Sequence, residues 1–557
     1  MRGLMMDTPL LLSEMLRFAA DCHGEVEVVG RDIDDRIHRY TYFDAHERAK
    51  RLAQAMRRLG VGMGDVVGAL GWSTHRYFEL FYGVSGIGAV LHTINPRLFE
   101  EQLVYIINHA EDRWLIVDGD TAPLAERLAP KLRGLKGFIF LGPAEQMPDC
   151  ALRPLLCYED MLEAEDGRFD WPSFDERTAS TLCYTSGTTG DPKGVVYSHR
   201  SSWLSSLHFG NRNLAGDVRD GAPECWMPMA GVFHANGWFL PYVVPMQGYK
   251  LVLPGRNYAP EKLYELLEGE GVTFCCGVPT IWLMLTEWLK TSNRRLSKLE
   301  LVVMSGAKPP RVLLETLERD FGIKATQAWG MTEIIGASSA SLRPGESGLD
   351  GAALLDRREM AGRRRVGTRL RIVDDLGNDL PHDGEATGHL LVQGPMVASG
   401  YLKGTEGVVG ATGVDAGWLH TGDVAALYPD GYIRLADRSK DVVKSGGEWI
   451  SSVALENLAM SHPAVREAAV IAVAHPKWQE RPLLIVVPRP EASASREELR
   501  AYLAERVARW WVPDDVVFAD SLPYTATGKV HKLKLRKLYA DHRLPEVDEA
   551  GSAGARA

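Results

Sequence analysis

The chain has 557 residues, 45% hydrophobic and 24% charged, a composition typical of a globular protein with more than one core. A formal net charge of −10 excludes the global basic field expected of a protein whose main partner is nucleic acid. Seven scattered cysteines without a Cys-x-x-Cys pair predict reduced thiols rather than a zinc site. With no long apolar run, we expect no signal peptide, no transmembrane helix and a cytoplasmic location.

The first part of the chain alternates between helix-like and strand-like segments. Apolar residues recur at helical spacing over residues 45–59, and further helices are predicted over 75–90 and 101–109. Buried strands are predicted over residues 65–70 and 114–117. This alternation predicts an α/β fold in which parallel strands have helices on both faces.

Residues 184–195 read Tyr-Thr-Ser-Gly-Thr-Thr-Gly-Asp-Pro-Lys-Gly-Val and follow a short run that predicts a strand. Glycines let backbone N–H groups turn inward, hydroxyls donate hydrogen bonds and a lysine adds a mobile charge, so the segment fits a phosphate-binding loop. It lacks the spacing of a Walker A loop. The alternative is a flexible surface turn, which has no reason to combine these elements. The predicted phosphate-binding residues are Thr185, Ser186, Gly187, Thr188, Thr189, Gly190 and Lys193.

After this loop the alternation of helices and strands resumes, and the predicted secondary-structure pattern then changes twice. Residues 262–321 again alternate between helix and strand, with a strand predicted over 301–304 and a helix over 311–321. Short strands between residues 370 and 436 predict a small β subdomain. The charged run 437–441 resembles a hinge, and a compact α+β unit with a helix predicted over 496–509 follows it. The predicted organisation is therefore an N-terminal domain (1–437), a hinge (438–441), an α+β C-terminal domain (442–540) and a disordered tail (541–557).

The phosphate loop resembles that of the adenylate-forming enzymes, which include acyl-CoA synthetases, luciferases and peptide-synthetase adenylation domains. Further motifs occur in the family's order as far as Lys529. Residues 95–99, 104–108 and 445–450 are most similar to the medium- and long-chain fatty acid branch, which also contains ligases for methylthiopropionate. The resemblance implies ATP, Mg²⁺ and CoA as cofactors and a fatty acid as the substrate. It also implies that the N-terminal domain binds ATP and the acyl group and that the C-terminal domain is mobile.

The segment Gln327-Ala-Trp-Gly-Met-Thr-Glu333 is informative only beside the phosphate loop, because a Thr-Glu pair alone is equally consistent with a helix cap. The resemblance makes Glu333, with Thr188, the magnesium site and brings Thr332 to the α-phosphate. It also implies that Trp329 stacks on adenine. The other nucleotide-binding residues implied are Gly306, Ala307, Gln327, Gly330, Asp423 and Arg438.

The acyl site is predicted around His234-Ala-Asn-Gly-Trp238. In isolation, a histidine near aromatic residues is more often a packed core residue than a catalyst. The resemblance counts His234 among the catalytic residues and makes Trp238 a gate of the acyl tunnel. The same tunnel would include Gly277, Val278 and Pro279, for which an ordinary strand-to-helix turn is the alternative.

Lys529 ends a loop of small residues near the C-terminus. Surface lysines are usually solvated and idle, but the resemblance makes Lys529 the catalytic lysine that bridges the substrate carboxylate and the α-phosphate. Lys440 occupies the hinge position. The CoA-binding loop implied by the resemblance contains Lys444, Gly446, Gly447 and Trp449, and it would face solvent while the adenylate forms.

The predicted function is a two-step ligase that forms an acyl-adenylate and then transfers the acyl group to CoA. An enzyme that passes its adenylate to a carrier protein, or oxidises it, stays open, as does a non-catalytic acyl-nucleotide sensor. A homodimer is also open. One departure from the family is Gly362-Arg-Arg-Arg-Val-Gly367, where relatives usually have Gly-x-Pro, and this departure leaves the local loop geometry undetermined.

Overall fold

The computed structural model describes the chain except residues 2, 186–190, 211–223, 335, 340–341, 344, 347, 405–415, 447, 491, 526–528 and 546–557. Most of the predicted disordered tail, 541–557, therefore lies outside the described residues. None of the described helices is long and apolar enough to cross a membrane.

The helices of the described chain, in order, are α1 Ser13–Cys22, α2 Tyr42–Arg58, α3 His75–Gly83, α4 Glu100–Ala110, α5 Ala122–Leu128, α6 Tyr158–Glu163, α7 His199–Gly210, α8 Leu240–Met246, α9 Pro260–Gly269, α10 Pro279–Thr291, α11 Arg311–Phe321, α12 Gly351–Glu359, α13 Ser452–Met460, α14 Arg496–Ala504 and α15 Lys532–Leu538. The strands are β1 Glu27–Arg31, β2 Ile37–Thr41, β3 Val66–Leu70, β4 Val90–Ile94, β5 Trp114–Val117, β6 Gly137–Phe140, β7 Leu155–Cys157, β8 Ala179–Tyr184, β9 Gly194–Ser198, β10 Cys225–Pro228, β11 Lys250–Leu253, β12 Phe274–Gly277, β13 Leu301–Met304, β14 Lys324–Gln327, β15 Ser338–Ser339, β16 Arg363–Arg364, β17 Arg369–Val373, β18 Gly388–Gln393, β19 Leu419–Leu427, β20 Ile433–Arg438, β21 Val443–Ser445, β22 Glu448–Ile450, β23 Val465–His475, β24 Gln479–Pro488 and β25 Asp515–Phe518.

Two mainly parallel sheets form the N-terminal part of the molecule. One has the strand order β14-β13-β12-β10-β11-β1-β2, and the other has the order β7-β6-β5-β3-β4-β8-β9. Each sheet ends in a single antiparallel pair, β1 with β2 and β8 with β9. The central strands are apolar and buried because helices cover both faces, as the alternation predicts.

The remaining sheets are antiparallel and smaller. Strands β17 to β20 form a four-stranded antiparallel sheet, which is the predicted β subdomain. After the predicted hinge, β21 to β25 form a separate sheet covered by α13 and α14. The observed fold is thus α/β with a small β subdomain and a separate α+β C-terminal domain.

Two predicted helices are wrong in extent. The helix predicted over residues 75–90 ends at Gly83, a short 3₁₀ turn follows, and Val90 begins strand β4. Gly88 has a left-handed φ of 81°, which stops the helical path although apolar residues continue. The helix predicted over 496–509 ends at Ala504, before a separate 3₁₀ turn.

Candidate active site

The predicted phosphate loop connects the antiparallel strands β8 and β9. Its ends are joined by two hydrogen bonds, from the Thr185 N–H to the Lys193 carbonyl (2.9 Å) and from the Lys193 N–H to the Thr185 hydroxyl (3.1 Å). Because Tyr184 and Gly194 are also paired in register, the loop is a closed hairpin connection. Ser186, Gly187, Thr188, Thr189 and Gly190 lie outside the described residues.

A cavity of about 1420 Å³ opens beside this loop, between the two parallel sheets and the C-terminal domain. It gathers many of the predicted site residues from segments that are far apart in sequence. The predicted residues that line it are Thr185, Lys193, His234, Trp238, Val278, Gly306, Trp329, Gly330, Thr332, Glu333, Arg438, Lys440 and Lys529.

Glu333 is buried at the wall of this cavity and is held by a tyrosine. The Tyr401 hydroxyl donates a 2.6 Å hydrogen bond to Glu333 Oε1, and burial, with the carboxylate, raises the pKa of Tyr401. The Lys193 ammonium lies 4.8 Å from the centre of the same tyrosine ring. One aromatic residue therefore connects the phosphate loop with the predicted magnesium carboxylate.

Asp423 and Arg438 lie opposite each other on strands β19 and β20, where Arg438 Nε is 2.9 Å from Asp423 Oδ1. The Trp329 indole N–H donates a 2.9 Å hydrogen bond to the other oxygen, Asp423 Oδ2. Asp423 itself is buried and does not line the cavity, but both of its partners do. A ligand in the cavity would thus meet Trp329 and Arg438, whose side chains the buried Asp423 carboxylate holds in orientation.

Lys529 reaches the cavity from the C-terminal domain. Its Cε lies 3.5 Å from where a Cβ on Gly306 would stand, so the side chain packs against the glycine that follows β13. Burial, reinforced by Arg438 and Lys440 and opposed by Asp423, lowers the pKa of Lys529 to about 8. The lysine is thus a cation that titrates near neutral pH.

His234 lies at the same part of the cavity. Burial, together with the charge of Lys529, lowers the pKa of His234 to about 4, so its imidazole is neutral at physiological pH. A neutral imidazole can donate a hydrogen bond to a carboxylate but carries no positive charge there.

Trp238 belongs to an uncommon left-handed turn, Ala235–Phe239, in which every residue has a positive φ between 39° and 60°. L-residues adopt this conformation at a cost of roughly 1–2 kcal/mol each. Asn236 holds the turn because its side chain accepts a 2.9 Å hydrogen bond from Thr93 and donates one of 2.6 Å to Thr181. The backbone that aims Trp238 at the cavity is therefore strained and anchored to the sheet.

Several predicted residues lie off the cavity. Pro279 begins helix α10 directly after the turn that follows β12, so the strand-to-helix turn offered as the alternative is present, and only Val278 of this segment lines the cavity. Gly277 and Gln327 are buried in strands, whereas Ala307 is exposed.

The predicted CoA loop is the hairpin of β21 and β22, away from the cavity. The ring centres of Trp449 and His389 are 5.3 Å apart. Lys444 is exposed, and its ammonium lies 5.9 Å from the centre of the Trp449 ring. Gly446 has a φ of 61° and donates to the Trp478 carbonyl. Gly447 lies outside the described residues. In the present arrangement Lys529 thus lines the cavity, whereas Lys444, Gly446 and Trp449 do not.

Sequence reasoning missed Tyr401 and Asn236. Tyr401 is 68 residues from Glu333 in sequence, and nothing in its own segment indicates that pairing. Asn236 stands inside a motif already selected for His234 and Trp238, and a polar residue between aromatic ones was the available signal.

In the described part of the chain, no three His, Cys, Asp or Glu side chains converge as a metal site. Of the two predicted magnesium ligands, Glu333 lines the cavity and Thr188 lies outside the described residues. Tyr401 engages one Glu333 oxygen, and a hard carboxylate donor of this kind suits Mg²⁺.

Comparison with known protein families gives two matches. The model of the AMP-binding enzymes matches residues 16–402, and that of the AMP-binding enzyme C-terminal domain matches residues 454–529. The chain is 44% identical to a 3-methylmercaptopropionyl-CoA ligase of Ruegeria lacuscaerulensis, with 97% of this chain and 99% of the relative covered. It is 41% identical to a long-chain-fatty-acid–CoA ligase of Thermus thermophilus, with 97% of each covered.

A medium-chain-fatty-acid–CoA ligase of Ectopseudomonas oleovorans is 38% identical over 97% of this chain and 98% of the relative. Among solved structures, an anthranilate CoA ligase in complex with anthranoyl-AMP superposes with a TM-score of 0.82 at 26% identity. That alignment covers 96% of this chain and 98% of the other.

Proposed function

The chain belongs to the AMP-binding enzyme family and is an acid–thiol ligase, and from that premise we propose that it activates an aliphatic carboxylic acid with ATP and transfers the acyl group to CoA. The observation that carries the proposal is the convergence of Lys193, Glu333, Arg438 and Lys529 on one cavity. Three cations and a carboxylate around one space suit a polyanionic nucleotide with a bound cation.

In the first half-reaction, a substrate carboxylate oxygen attacks the α-phosphorus of ATP, the bond to the β-phosphate breaks, and pyrophosphate leaves. Lys529 stands between the two anions and reduces their repulsion, while neutral His234 donates a hydrogen bond to the acid. Thr185 and Lys193, with the intervening residues 186–190, hold the phosphates. Asp423 and Arg438 bind the ribose, and Trp329 orients Asp423 while it contacts adenine.

A magnesium ion bound by Glu333 would neutralise the charge that develops on pyrophosphate. Tyr401 keeps the Glu333 carboxylate in a fixed orientation, and Thr332 contributes to the α-phosphate contact.

In the second half-reaction, the CoA thiolate attacks the acyl carbon, and the acyl–phosphate bond breaks to release AMP. We propose that the C-terminal domain rotates about Lys440 between the two steps, which removes Lys529 and brings in the loop of Lys444, Gly446, Gly447 and Trp449. We propose that the part that rotates is the C-terminal domain, residues 442–540, and that residues 438–441 form the hinge to the N-terminal domain, residues 1–437.

Two substrate classes are supported by the relatives. Medium- and long-chain fatty acids fit the predicted branch, and relatives at 41% and 38% identity are named for them. 3-Methylthiopropionate is the alternative, and the relatives at 44% and 42% identity are named for it. A cytoplasmic location and a homodimer stay predictions.

The test is pyrophosphate release from ATP by the purified protein, with 3-methylthiopropionate and with fatty acids of increasing length, each with and without CoA. Continuous release with one class of acid only in the presence of CoA is expected. Release that does not need CoA would instead support an enzyme that serves a carrier protein. No release with any acid would overturn the proposal in favour of a sensor.

A further inference from the structure

Arg365 is the residue of the arginine run that turns toward the cavity. Its neighbours Arg363 and Arg364 form strand β16, whereas Arg365 leaves that strand and lines the cavity wall. Its guanidinium carbon lies 5.3 Å from the centre of the Phe209 ring on helix α7. Its Nη1 lies 3.1 Å from where a Cβ on Gly336 would stand. The side chain of Arg365 thus packs against both Phe209 and Gly336.

No residue in the described ranges forms a hydrogen bond or an ion pair with this guanidinium, and its Nε is buried without a partner. Two other arginines that line the cavity differ, because Arg358 pairs with Glu318 at 2.6 Å and Arg343 pairs with Asp430 at 3.0 Å. Burial lowers the pKa of Arg365 to about 10, which still leaves the side chain charged at neutral pH.

Arg365 stands beside His208, whose pKa is lowered by burial and by the charge of Arg365, and Arg365 also borders an apolar wall. Phe209 packs edge-on against Trp226 with ring centres 6.5 Å apart. Trp226 is paired in register with Phe274, and Phe274 with Leu301, so three neighbouring positions of one row present apolar side chains to the cavity. Lys324, paired with Leu301, ends the row with a cation. This wall suits an alkyl chain, and Arg365, which has no partner among the described residues, stands next to it.

The apolar wall and Arg365 together discriminate between long monocarboxylic acids and short dicarboxylic acids. A long alkyl chain that covered Arg365 would remove water from a cation without giving it a partner, which is unfavourable. A second carboxylate at the far end of a short chain would instead accept two parallel hydrogen bonds from the guanidinium.

We propose that Arg365 is a specificity-determining residue that binds the distal carboxylate of a dicarboxylic acid, whose other carboxylate is activated by ATP. This inference rests on the proposed function and refines its substrate class. Neither of the two acids considered above carries a second carboxylate.

The test compares saturated mono- and dicarboxylic acids of equal carbon number, from four to ten carbons, in CoA-dependent pyrophosphate release. The variants are Arg365→Met, which keeps a flexible apolar stem against Phe209, and Arg364→Met on the exposed neighbour as the matched control. Arg365→Lys, which keeps a charge but not the planar fork, serves if the methionine variant is unstable.

For the wild-type protein and Arg364→Met, we expect kcat/KM to be higher for the diacid at one chain length. Arg365→Met should lower the diacid-to-monoacid ratio about 30-fold, mostly through KM for the diacid, and Arg365→Lys should lower it less. Monoacids that exceed diacids at every length, or an unchanged ratio in Arg365→Met, would overturn the inference and leave the proposed ligase intact. An absence of release with any mono- or diacid would overturn both.

Discussion

At the scale of single residues, Lys529 is a cavity cation whose charge changes close to physiological pH. Its pKa of about 8 means that the ammonium is complete well below pH 8 and is lost as the pH rises through that value. Because the proposed role requires the cation, we expect kcat/KM for ATP in the adenylation half-reaction to fall above about pH 8. ATP–pyrophosphate exchange without CoA measures that step without interference from the thiol.

Two variants of Lys529 separate this role from other causes of pH dependence. The arginine in Lys529→Arg stays protonated at every pH assayed, so the decline of kcat/KM for ATP above about pH 8 should disappear. Lys529→Ala should abolish adenylation while acyl-CoA formation from supplied acyl-adenylate persists. The proposed role would be refuted by an equal loss of both half-reactions in Lys529→Ala.

Tyr401 allows a second test at this scale. Tyr401→Phe removes the hydroxyl that donates to Glu333 but keeps the ring beside Lys193. We expect the Mg²⁺ concentration needed for half-maximal activity to rise about tenfold, because a carboxylate without its orienting partner binds metal less well.

The matched control is Tyr432→Phe, since the Tyr432 hydroxyl donates a 2.6 Å hydrogen bond to Glu346 and neither residue lines the cavity. It should leave the Mg²⁺ dependence unchanged. If both variants respond alike, the effect belongs to general stability and not to Glu333.

The sequence allowed Glu333 and Lys529 to be assigned to one site because each stands in a local motif whose residues are contiguous. Tyr401 and Arg365 could not be assigned in this way. Their importance depends on tertiary packing against Glu333 and Phe209, and no local spacing encodes those contacts.

At the scale of secondary structure elements, the left-handed turn Ala235–Phe239 is the feature with the greatest local strain. Asn236→Ala removes both side-chain hydrogen bonds that hold the turn against Thr93 and Thr181. We expect the free energy of unfolding to fall by about 2–4 kcal/mol, because two buried hydrogen bonds are lost. KM for the acid should also rise more than KM for ATP.

Asn293→Ala is the control for this variant, because Asn293 also has a positive φ (52°) but is exposed at the end of α10. It should cost less than about 1 kcal/mol in thermal or denaturant unfolding. Equal losses in the two variants would show that left-handed backbone alone, and not the buried anchor, explains the effect of Asn236→Ala.

Helices and strands were predictable where the apolar periodicity ended at turn residues. Helix α11 and strands β5 and β13 begin and end where expected, since their apolar periods are bounded by turn residues. The end of the helix in the segment from His75 to Val90 was not predictable, because the apolar pattern continues through a 3₁₀ turn into strand β4. In the turn Ala235–Phe239, only Asn236 and Gly237 are residue types that favour positive φ, and nothing local predicts the same conformation for Ala235, Trp238 and Phe239.

At the scale of the whole molecule, contacts across the predicted hinge hold the present arrangement. Asp437 accepts hydrogen bonds from the Ser452 N–H (2.6 Å) and hydroxyl (2.5 Å) at the start of α13. Arg536 of α15 donates to the Lys440 carbonyl at 2.9 Å. These bonds keep Lys529 in the cavity and the loop of Lys444 outside it, so the proposed rotation has to exchange them for others.

Lys440→Pro tests whether that rotation is needed. Proline fixes φ near −65° and also restricts Ser439, so the backbone at the hinge would lose the freedom to rotate. We expect ATP–pyrophosphate exchange to stay within about threefold of wild type, whereas acyl-CoA formation should fall at least about 100-fold, because the thiol cannot approach the adenylate correctly. Lys440→Ala, which removes the side chain but leaves the backbone free, should retain both half-reactions. If Lys440→Pro makes acyl-CoA at the wild-type rate, one arrangement serves both steps and the alternation is refuted.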